Sequence, residues 1–506
     1  MQKSRSRQVA LNATASLATQ FIMIALNFIL RTVFIKTLGV DYLGVNGLFS
    51  NVLQILSFAE LGIGNAIVFS MYKPLAEHDE ERLCSLMQLY KKVYLAIFGI
   101  VMVLGLAMIP FLDFMIKGEP NIEENLIVIY IFYLLDTSLS YLYIYKQSII
   151  TADQKQYVVT SVLTIASILR VIGQIVILYL THNFILFLTI NLIFRLGGNI
   201  YCSHVADKRY PYIKNKPKPL SRDDKNKIYV DIKSMAAYKF GSIILNSADT
   251  VIISAMVSIT TVGLVSNYTM IILACKNILN GITRSFTASL GNLNAIGTDE
   301  QKYNVFNKIL LITTWLYGFA SIGIIVVSKS FIDVWIGPEF ILSNFVVLAL
   351  ISEFYVSGVH TLESHYRYTM GFFVKGRLAP ILAAVLNIVL SIWFCRMWGV
   401  AGVLIATSLS RIIALGVIDS IIIFKDGFHR NPIIYLYKNT IYLALFVVIG
   451  CLCYWIVSYV HISSWLGVII QAFIVFIVYN GIMVLLFHKS SEFNEITKAF
   501  RALLNK

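Results

Sequence analysis

RTVFIKTLGVDYLGVNGLFSNVLQILSFAELGIGNAIVFSMYKPLAEHDEER occupies residues 31–82. It opens on a cation, Arg31, inside an apolar segment. It passes a Gly-rich bend at 39–47, returns as a second apolar segment carrying Glu60, and ends in a charged loop from Lys73. Apolar helix, intramembrane charge, tight turn and charged loop then recur along the chain.

The surrounding composition makes this a membrane pattern. The chain has 506 residues, 58% hydrophobic and only 13% charged, with a mean hydropathy of +0.75. Roughly 20 apolar residues cross a bilayer as a helix. A closed barrel needs short alternating strands, whereas these apolar runs are long. The predicted fold class is all-α integral membrane, with about 14 transmembrane helices in two pseudo-symmetric six-helix lobes plus two C-terminal helices. The spans read as about 10–36, 44–71, 92–112, 125–147, 157–180, 184–203, 236–257, 263–290, 306–328, 340–366, 378–396, 400–424, 437–459 and 463–487. The basic N-terminus MQKSRSR leads into an apolar run too long for a cleavable signal, so that run reads as the first span.

Loop charge predicts orientation. With the N-terminus inside, the inner segments hold 30 Lys and Arg, while the outer loops hold Lys36, Lys117, Lys329 and Arg396. This positive-inside asymmetry predicts an N-in/C-in protein and accounts for the net charge of +14 without nucleic acid. The expected organisation is an N-lobe at 1–203, a basic cytoplasmic linker at 204–235, a C-lobe at 236–424, two further helices at 425–487 and a cytoplasmic amphipathic tail at 488–506. FLDFMIKG at 111–118 and FIDVWIG at 331–337 repeat at an offset of 220. Gly44 with Gly263, and Asp79-Glu80 with Asp299-Glu300, fall near the same register. The two halves therefore read as a parallel repeat.

Seven basic residues lie within the helices: Arg31, Arg170, Arg195, Lys239, Lys276, Arg284 and Arg411. Each costs a few kcal/mol in lipid, so each must face protein or water. Polar residues at helical spacing place them on stripes. Gln20, Asn27 and Arg31 share one face; Glu60 lies on the second helix with Ser57 and Gly64; Lys239, Asn246 and Asp249 share another; Lys276, Asn280 and Arg284 another; Glu353, Ser357 and His360 another. The acids Glu60, Asp136, Asp249 and Glu353 are candidates for charge pairing or ion coupling, and any one cation could be a structural partner of one of them. The cations outnumber these acids, which calls for an anionic occupant. Helices 3, 9, 13 and 14 carry few charges and read as lipid-facing periphery. His360 and His365 are candidate proton sensors, with hydrogen-bonded structure the plainer reading.

Six scattered cysteines form no CxxC or Cys/His metal spacing, and no phosphate-loop or HExxH motif appears. No catalytic and no metal residue is therefore expected, and the chain reads as a non-enzyme.

LGVDYLGVNGLFSNVLQILSFAELGIGNAI at 38–67, MYKPLAEHDEER with the following LYKKVY, and YKFGSIILNSADTVIIS at 238–254 resemble the polysaccharide and lipid-linked oligosaccharide flippases. These belong to the multidrug/oligosaccharidyl-lipid/polysaccharide exporter (MATE-like) superfamily. The resemblance implies flipping of undecaprenyl-pyrophosphate-linked repeat units from the inner to the outer leaflet of a bacterial cytoplasmic membrane, by alternating access. It implies the O-antigen or exopolysaccharide pathways, with membrane lipids and the pathway's polymerase and chain-length proteins as partners. No cofactor is implied beyond an H+ or Na+ gradient or the membrane potential. Arg31, Arg170, Arg195, Lys239, Lys276, Arg284 and Arg411, with Gln20, Asn27 and Asn280, would then line the pyrophosphate and sugar cavity. The acid that some drug exporters use in helix 1 has no match here. An ion-coupled multidrug exporter of the same fold, an integral-membrane polysaccharide polymerase and a membrane scaffold are the alternatives. The short outer loops disfavour the polymerase, and the positive interior disfavours the exporter.

Overall fold

The computed structural model describes residues 2–60, 63–215, 240–372, 375–460 and 462–504; the side chains of 2–18, 58–59, 63, 65–66, 284–289, 291–292, 294–296, 499–500 and 502–504 lie outside that description. Lys239 and most of the basic linker fall outside it, as does the side chain of Arg284. Helices are the only regular structure among the described residues, which contain no strand. Among the described residues eleven helices are long and apolar enough to cross a membrane, and a shorter apolar helix, α9, covers Phe240–Met256.

The chain divides into two compact units. Unit 1 comprises Met1–Ile243 with Ser258–Gly263, and unit 2 comprises Ile244–Val257 with Leu264–Lys506. Unit 1 holds α1 (Gln2–Leu38), α2 (Val40–Leu56), α3 (Ile63–Ala76), α4 (Glu80–Met108), α5 (Leu126–Ile144), α6 (Gln147–Ala152), α7 (Gln156–Thr181) and α8 (Phe184–Arg209). Polar caps start these helices where the sequence supplies them: Asp79 accepts from the Arg82 amide, Asn125 from Ile127 and Asn183 from Leu186. The end of α1 seats on α8 through Phe34, whose ring meets Phe184 at 5.8 Å and Phe187 at 5.2 Å, both edge-on.

The expected helix at 44–71 is interrupted. A 3-10 turn at Ser57–Glu60 separates α2 from α3. Ser57 Oγ bonds back to the Leu53 carbonyl at 2.7 Å, which favours a break.

A segment of α10 (Ile259–Ile296) belongs with unit 1 and crosses α2 reciprocally. A Cβ on Gly44 would lie 2.1 Å from the Ile259 carbonyl oxygen, and one on Gly263 would lie 2.3 Å from that of Val40. Both residues in each pair are displaced by 219 positions, close to the offset of the sequence repeat. Glycine at each position lets the backbones touch. Thr260 Oγ1 adds a 2.6 Å bond to Asp41 Oδ1 at the same crossing.

Unit 2 continues with α11 (Asp299–Trp335), α12 (Asn344–Thr369), α13 (Ala379–Ser410), α14 (Val417–Ile421), α15 (Pro432–Val457), α16 (Trp465–Phe487) and α17 (Ser491–Leu504). The α11 start is a capping box of Thr298 and Gln301. Residues 379–427 would be far too long for one span. The chain instead reverses at Gly399, whose φ is 57° and ψ −135°. Asn387 and Thr407, about 30 Å apart along a straight helix, are joined by a 2.7 Å hydrogen bond. Two π-helical segments, Arg411–Gly416 and Ile422–Gly427, flank α14.

α11 is not the lipid-facing helix that its low charge suggested. Its Ile322 and Val326 are buried with Ile449, Cys453 and Val457 of α15 and Val475, Tyr479 and Met483 of α16. Trp315 Nε1 donates to Asn480 Oδ1 at 2.8 Å, and the Tyr479 hydroxyl donates to the Trp315 carbonyl at 3.0 Å. Apolar residues on all sides of a helix are equally at home in lipid and against other helices, so composition alone did not separate the two. α17 docks on the same element: Phe493 stacks on Trp315 at 5.9 Å, and Glu495 pairs with Lys308.

Candidate functional site

In unit 1 the polar residues of α5, α7 and α8 meet. Arg195 Nη1 of α8 donates to Asp136 Oδ2 of α5 at 2.5 Å. The acid is buried, while the guanidinium side chain is 46% exposed. Arg170 of α7 donates to Gln174 Oε1 and Asn191 Oδ1, each at 3.1 Å. Gln174 is buried and its amide reaches the Phe187 carbonyl at 3.4 Å. Two guanidinium groups thus lie near one carboxylate, Arg195 bonded to it and Arg170 held by neutral amides. Arg31, Gln20 and Asn27 of α1 are half-buried, and α1 packs along α7. Glu60 sits in the 3-10 turn, where the Tyr141 hydroxyl reaches both it and Ser57.

In unit 2 the stripes interlock. Arg411, at the first π-helical segment, places Nε 3.2 Å from Glu353 Oε1 and donates from Nη2 to Asn246 Oδ1 at 2.6 Å. Lys276 Nζ donates to Ser357 Oγ at 3.3 Å. Asn280 accepts from the Tyr317 hydroxyl at 3.1 Å. One helical turn of α12 therefore presents Glu353 and Ser357 to two cations from different elements.

Asp249 has a pocket of its own. Thr407 Oγ1 donates to its Oδ2 at 2.6 Å, and Asn387 Nδ2 donates to its Oδ1 at 3.2 Å. The same Asn387 amide reaches Ser391 Oγ at 3.3 Å, while its Oδ1 is buried without a hydrogen-bond partner among the described residues. A carboxylate and a hydroxyl oxygen meet here with an amide N–H donor, an arrangement in which the carboxylate can take a proton or a small cation in place of a hydrogen bond. Asn387 and Thr407 were missed in the sequence because they lie on either side of the Gly399 reversal. Asn387 with Ser391, and Val403 with Thr407, each spaced by four, were the available signal.

A second buried cluster was also only half visible. Asp419 of α14 accepts from Arg367 Nη1 at 2.9 Å and lies 3.0 Å from His360 Nε2. Glu363 accepts from the Tyr435 hydroxyl, and its Oε2 is 3.9 Å from His360 Nε2. Arg367, counted with the inner loop by its sequence position, is a buried residue of α12. Hydrogen-bonded structure is thus what the geometry shows at His360. No group of three or more His, Cys, Asp or Glu that could hold a metal occurs among the described residues.

Compared with solved structures, the chain aligns with a lipid II flippase, MurJ, in an inward closed conformation, at a TM-score of 0.65 and 16% identity, covering 93% of this chain and 98% of that one. A multidrug resistance MATE family transporter of the MOP superfamily, inward-facing, matches at 0.60 and 14% identity over 78% of this chain and 92% of that one. The Vibrio cholerae MATE transporter VcmN matches at 0.53 and 13% identity, over 80% and 96%. This chain has the transporter fold of those proteins. No family model matches the sequence, and no curated protein does. The two MATE structures are almost fully used by the match yet leave about a fifth of this chain uncovered, whereas the flippase spans nearly all of it. The transporter fold here is therefore of the longer kind. On this fold Arg170 and Arg195 of unit 1, and Lys276 and Arg411 of unit 2, stand on the helical segments that make the polar clusters.

Proposed function

We propose that this protein is a flippase that carries an undecaprenyl-pyrophosphate-linked oligosaccharide from the inner to the outer leaflet of a bacterial cytoplasmic membrane by alternating access, for cell-surface polysaccharide synthesis. The observation that carries this reading is the set of cations inside apolar helices, of which Arg195 and Arg411 face a carboxylate while two others are held by neutral groups. Arg170 is held by two amide oxygens and Lys276 by a hydroxyl. Such groups keep positive charge available for an anion, and guanidinium and ammonium donors suit phosphoryl oxygens. The length match to a lipid II flippase supports a lipid-linked cargo over a drug. In this reading Arg31, Arg170, Arg195, Lys276 and Arg411, with Lys239 and Arg284, contact the pyrophosphate in succession. Gln20, Asn27 and Asn280 meet the sugars.

Coupling to an H+ or Na+ gradient falls most naturally to Asp249, whose carboxylate, held by Thr407 Oγ1 and Asn387 Nδ2, can exchange a proton or a cation for these internal hydrogen bonds. Glu60, Asp136 and Glu353 act in this reading as charge partners. The test is deletion of the gene with leaflet-specific detection of lipid-linked oligosaccharide. Accumulation on the inner leaflet, rescued by the wild-type gene but not by Lys276→Met with Arg284→Met, is the expected result. Normal outer-leaflet delivery by the double variant sinks the assignment of those cations.

A further inference from the structure

At the end of unit 1 that loop charge assigns to the cytoplasm, three separate inner segments converge on one cavity of about 240 Å³. Its lining includes Lys91 of α4, Lys146 between α5 and α6, Asp207 of α8 and Lys214 of the 3-10 turn that follows α8. Lys146 Nζ lies 2.7 Å from Asp207 Oδ1 and 2.8 Å from Oδ2, so the ammonium straddles the carboxylate. Lys214 Nζ is 3.4 Å from the same Oδ2. Asp207 is thus largely engaged by Lys146, and three ammonium groups against one carboxylate leave the cavity with a surplus of two positive charges. The turn bearing Lys214 is fastened to α4, where Cys84 Sγ donates to the Asn215 carbonyl at 3.0 Å. The floor is polar and apolar by turns, with Gln88, Met87 and Ile213.

The surroundings point to a lipid as the source of the anion. Lys91 is exposed, and one turn further along the same face of α4 Leu95 is 55% exposed. From there α4 runs on as an apolar membrane span. Lys91, part of the lining, therefore stands where a basic surface gives way to a helix face suited to acyl or prenyl chains, the setting in which basic pockets take lipid head groups.

We infer that this cavity binds the phosphoryl head group of a membrane lipid, with Lys91 and Lys214 as the phosphate contacts and the Lys146–Asp207 pair holding the wall in place. The inference rests on the flippase reading only for one of its probes, because a lipid pyrophosphate and a bulk anionic phospholipid present the same chemistry. The head group docks at the inner edge of unit 1, apart from the cations within the spans.

The experiment uses the full-length protein in phosphatidylcholine nanodiscs, with native mass spectrometry of retained lipid. The probes are phosphatidylglycerol, undecaprenyl pyrophosphate and inorganic pyrophosphate. Wild type retains one or both lipids, and retention falls about fivefold for each of Lys91→Gln and Lys214→Gln, as expected for roughly one ammonium each beside an anionic surface. Lys91→Arg with Lys214→Arg keeps retention, which separates charge from folding. Both lysines are exposed, and a thermal melt of each variant checks that it folds. Preference for undecaprenyl pyrophosphate over phosphatidylglycerol assigns the site to cargo, and the reverse order assigns it to bulk lipid; both support it. Equal retention by wild type and the Gln variants overturns it, as does retention of inorganic pyrophosphate with neither lipid. A protein that flips lipid-linked glycan but retains no anionic lipid loses this site alone. One that retains the lipid without flipping contradicts the function and leaves the site standing.

Discussion

Asp136 and Glu353 each face a guanidinium, but their partners differ in exposure. Arg195 is 46% exposed on its side chain, while that of Arg411 is 9% exposed. Neutralising the acid leaves the cation behind, so water decides the cost. Glu353→Gln leaves a buried charge on Arg411 and costs about 3 kcal/mol, whereas in the proposed hydrated cavity Asp136→Asn leaves Arg195 open to water and costs under about 1 kcal/mol. Thermal melting in detergent ranks the two; equal losses would show that exposure is not the deciding factor. A second residue-scale test uses pH at the connection between α6 and α7. Asp153 lies 2.6 Å from Lys155 Nζ and accepts from the Tyr210 hydroxyl at 2.6 Å. Burial pushes its carboxyl up, but these two hydrogen bonds and the lysine charge outweigh that and hold it below the usual value. A depressed carboxyl contributes stability above its unfolded value of about 4, and that contribution vanishes as pH falls through the folded value. Asp153→Asn therefore lowers the melting temperature at pH 7, and the gap closes below about pH 4. A gap that is constant from pH 7 to pH 3 contradicts the pairing.

Among the elements, the crossing of α2 with the start of α10 is the place where the repeat becomes physical. Gly44 and Gly263 each receive the other element's carbonyl where a Cβ would stand. Gly44→Ala forces carbonyl and methyl to within 2.1 Å unless the helices part, so a loss of about 1–3 kcal/mol is expected, and the same for Gly263→Ala. The melting temperature of purified protein reads this directly; an unchanged value for both would mean that the crossing is not as drawn. The register of these glycines was legible in the sequence, because repeats leave matching residues at matching offsets. Polar stripes on single helices were legible too: Lys276, Asn280, Glu353 and Ser357 all meet partners on facing elements. What was not legible was which helix each stripe faces. The Asn387–Thr407 bridge depends on the chain reversing at Gly399, and a lone glycine between two apolar runs does not disclose its φ. Glu363 was hidden for a similar reason, since its partner Tyr435 is 72 residues away on α15. The burial of α11 was invisible because lipid and neighbouring helices select the same side chains.

For the whole molecule, hydropathy carried the fold, because a bilayer demands long apolar helices of any chain that crosses it. Eleven such helices, and one shorter, stand among the described residues. The cargo is a different matter: the fold is shared by proteins named as lipid flippases and as multidrug transporters. In the proposed reading intramembrane charge is what separates them: unit 1 sets Arg31, Arg170 and Arg195 against Glu60 and Asp136, while in unit 2 Lys276, Arg367 and Arg411 stand among Asp249, Glu353, Glu363 and Asp419. The coupling proposal adds an expectation at this scale: Asp249→Asn abolishes gradient-driven transport while sparing the fold, since an amide can keep the bonds from Thr407 and Asn387 with one flipped. Gradient-dependent uptake in vesicles with and without an imposed ΔpH or Na+ step checks it. The most direct test of the central claim is reconstitution in proteoliposomes with a fluorescent undecaprenyl-pyrophosphate-linked oligosaccharide and a membrane-impermeant quencher or glycosidase. The account predicts that the protein equilibrates the labelled lipid between leaflets, that Lys276→Met with Arg31→Met slows this at least tenfold, and that cationic dyes are not moved. Dye transport with no movement of the lipid-linked sugar would contradict it.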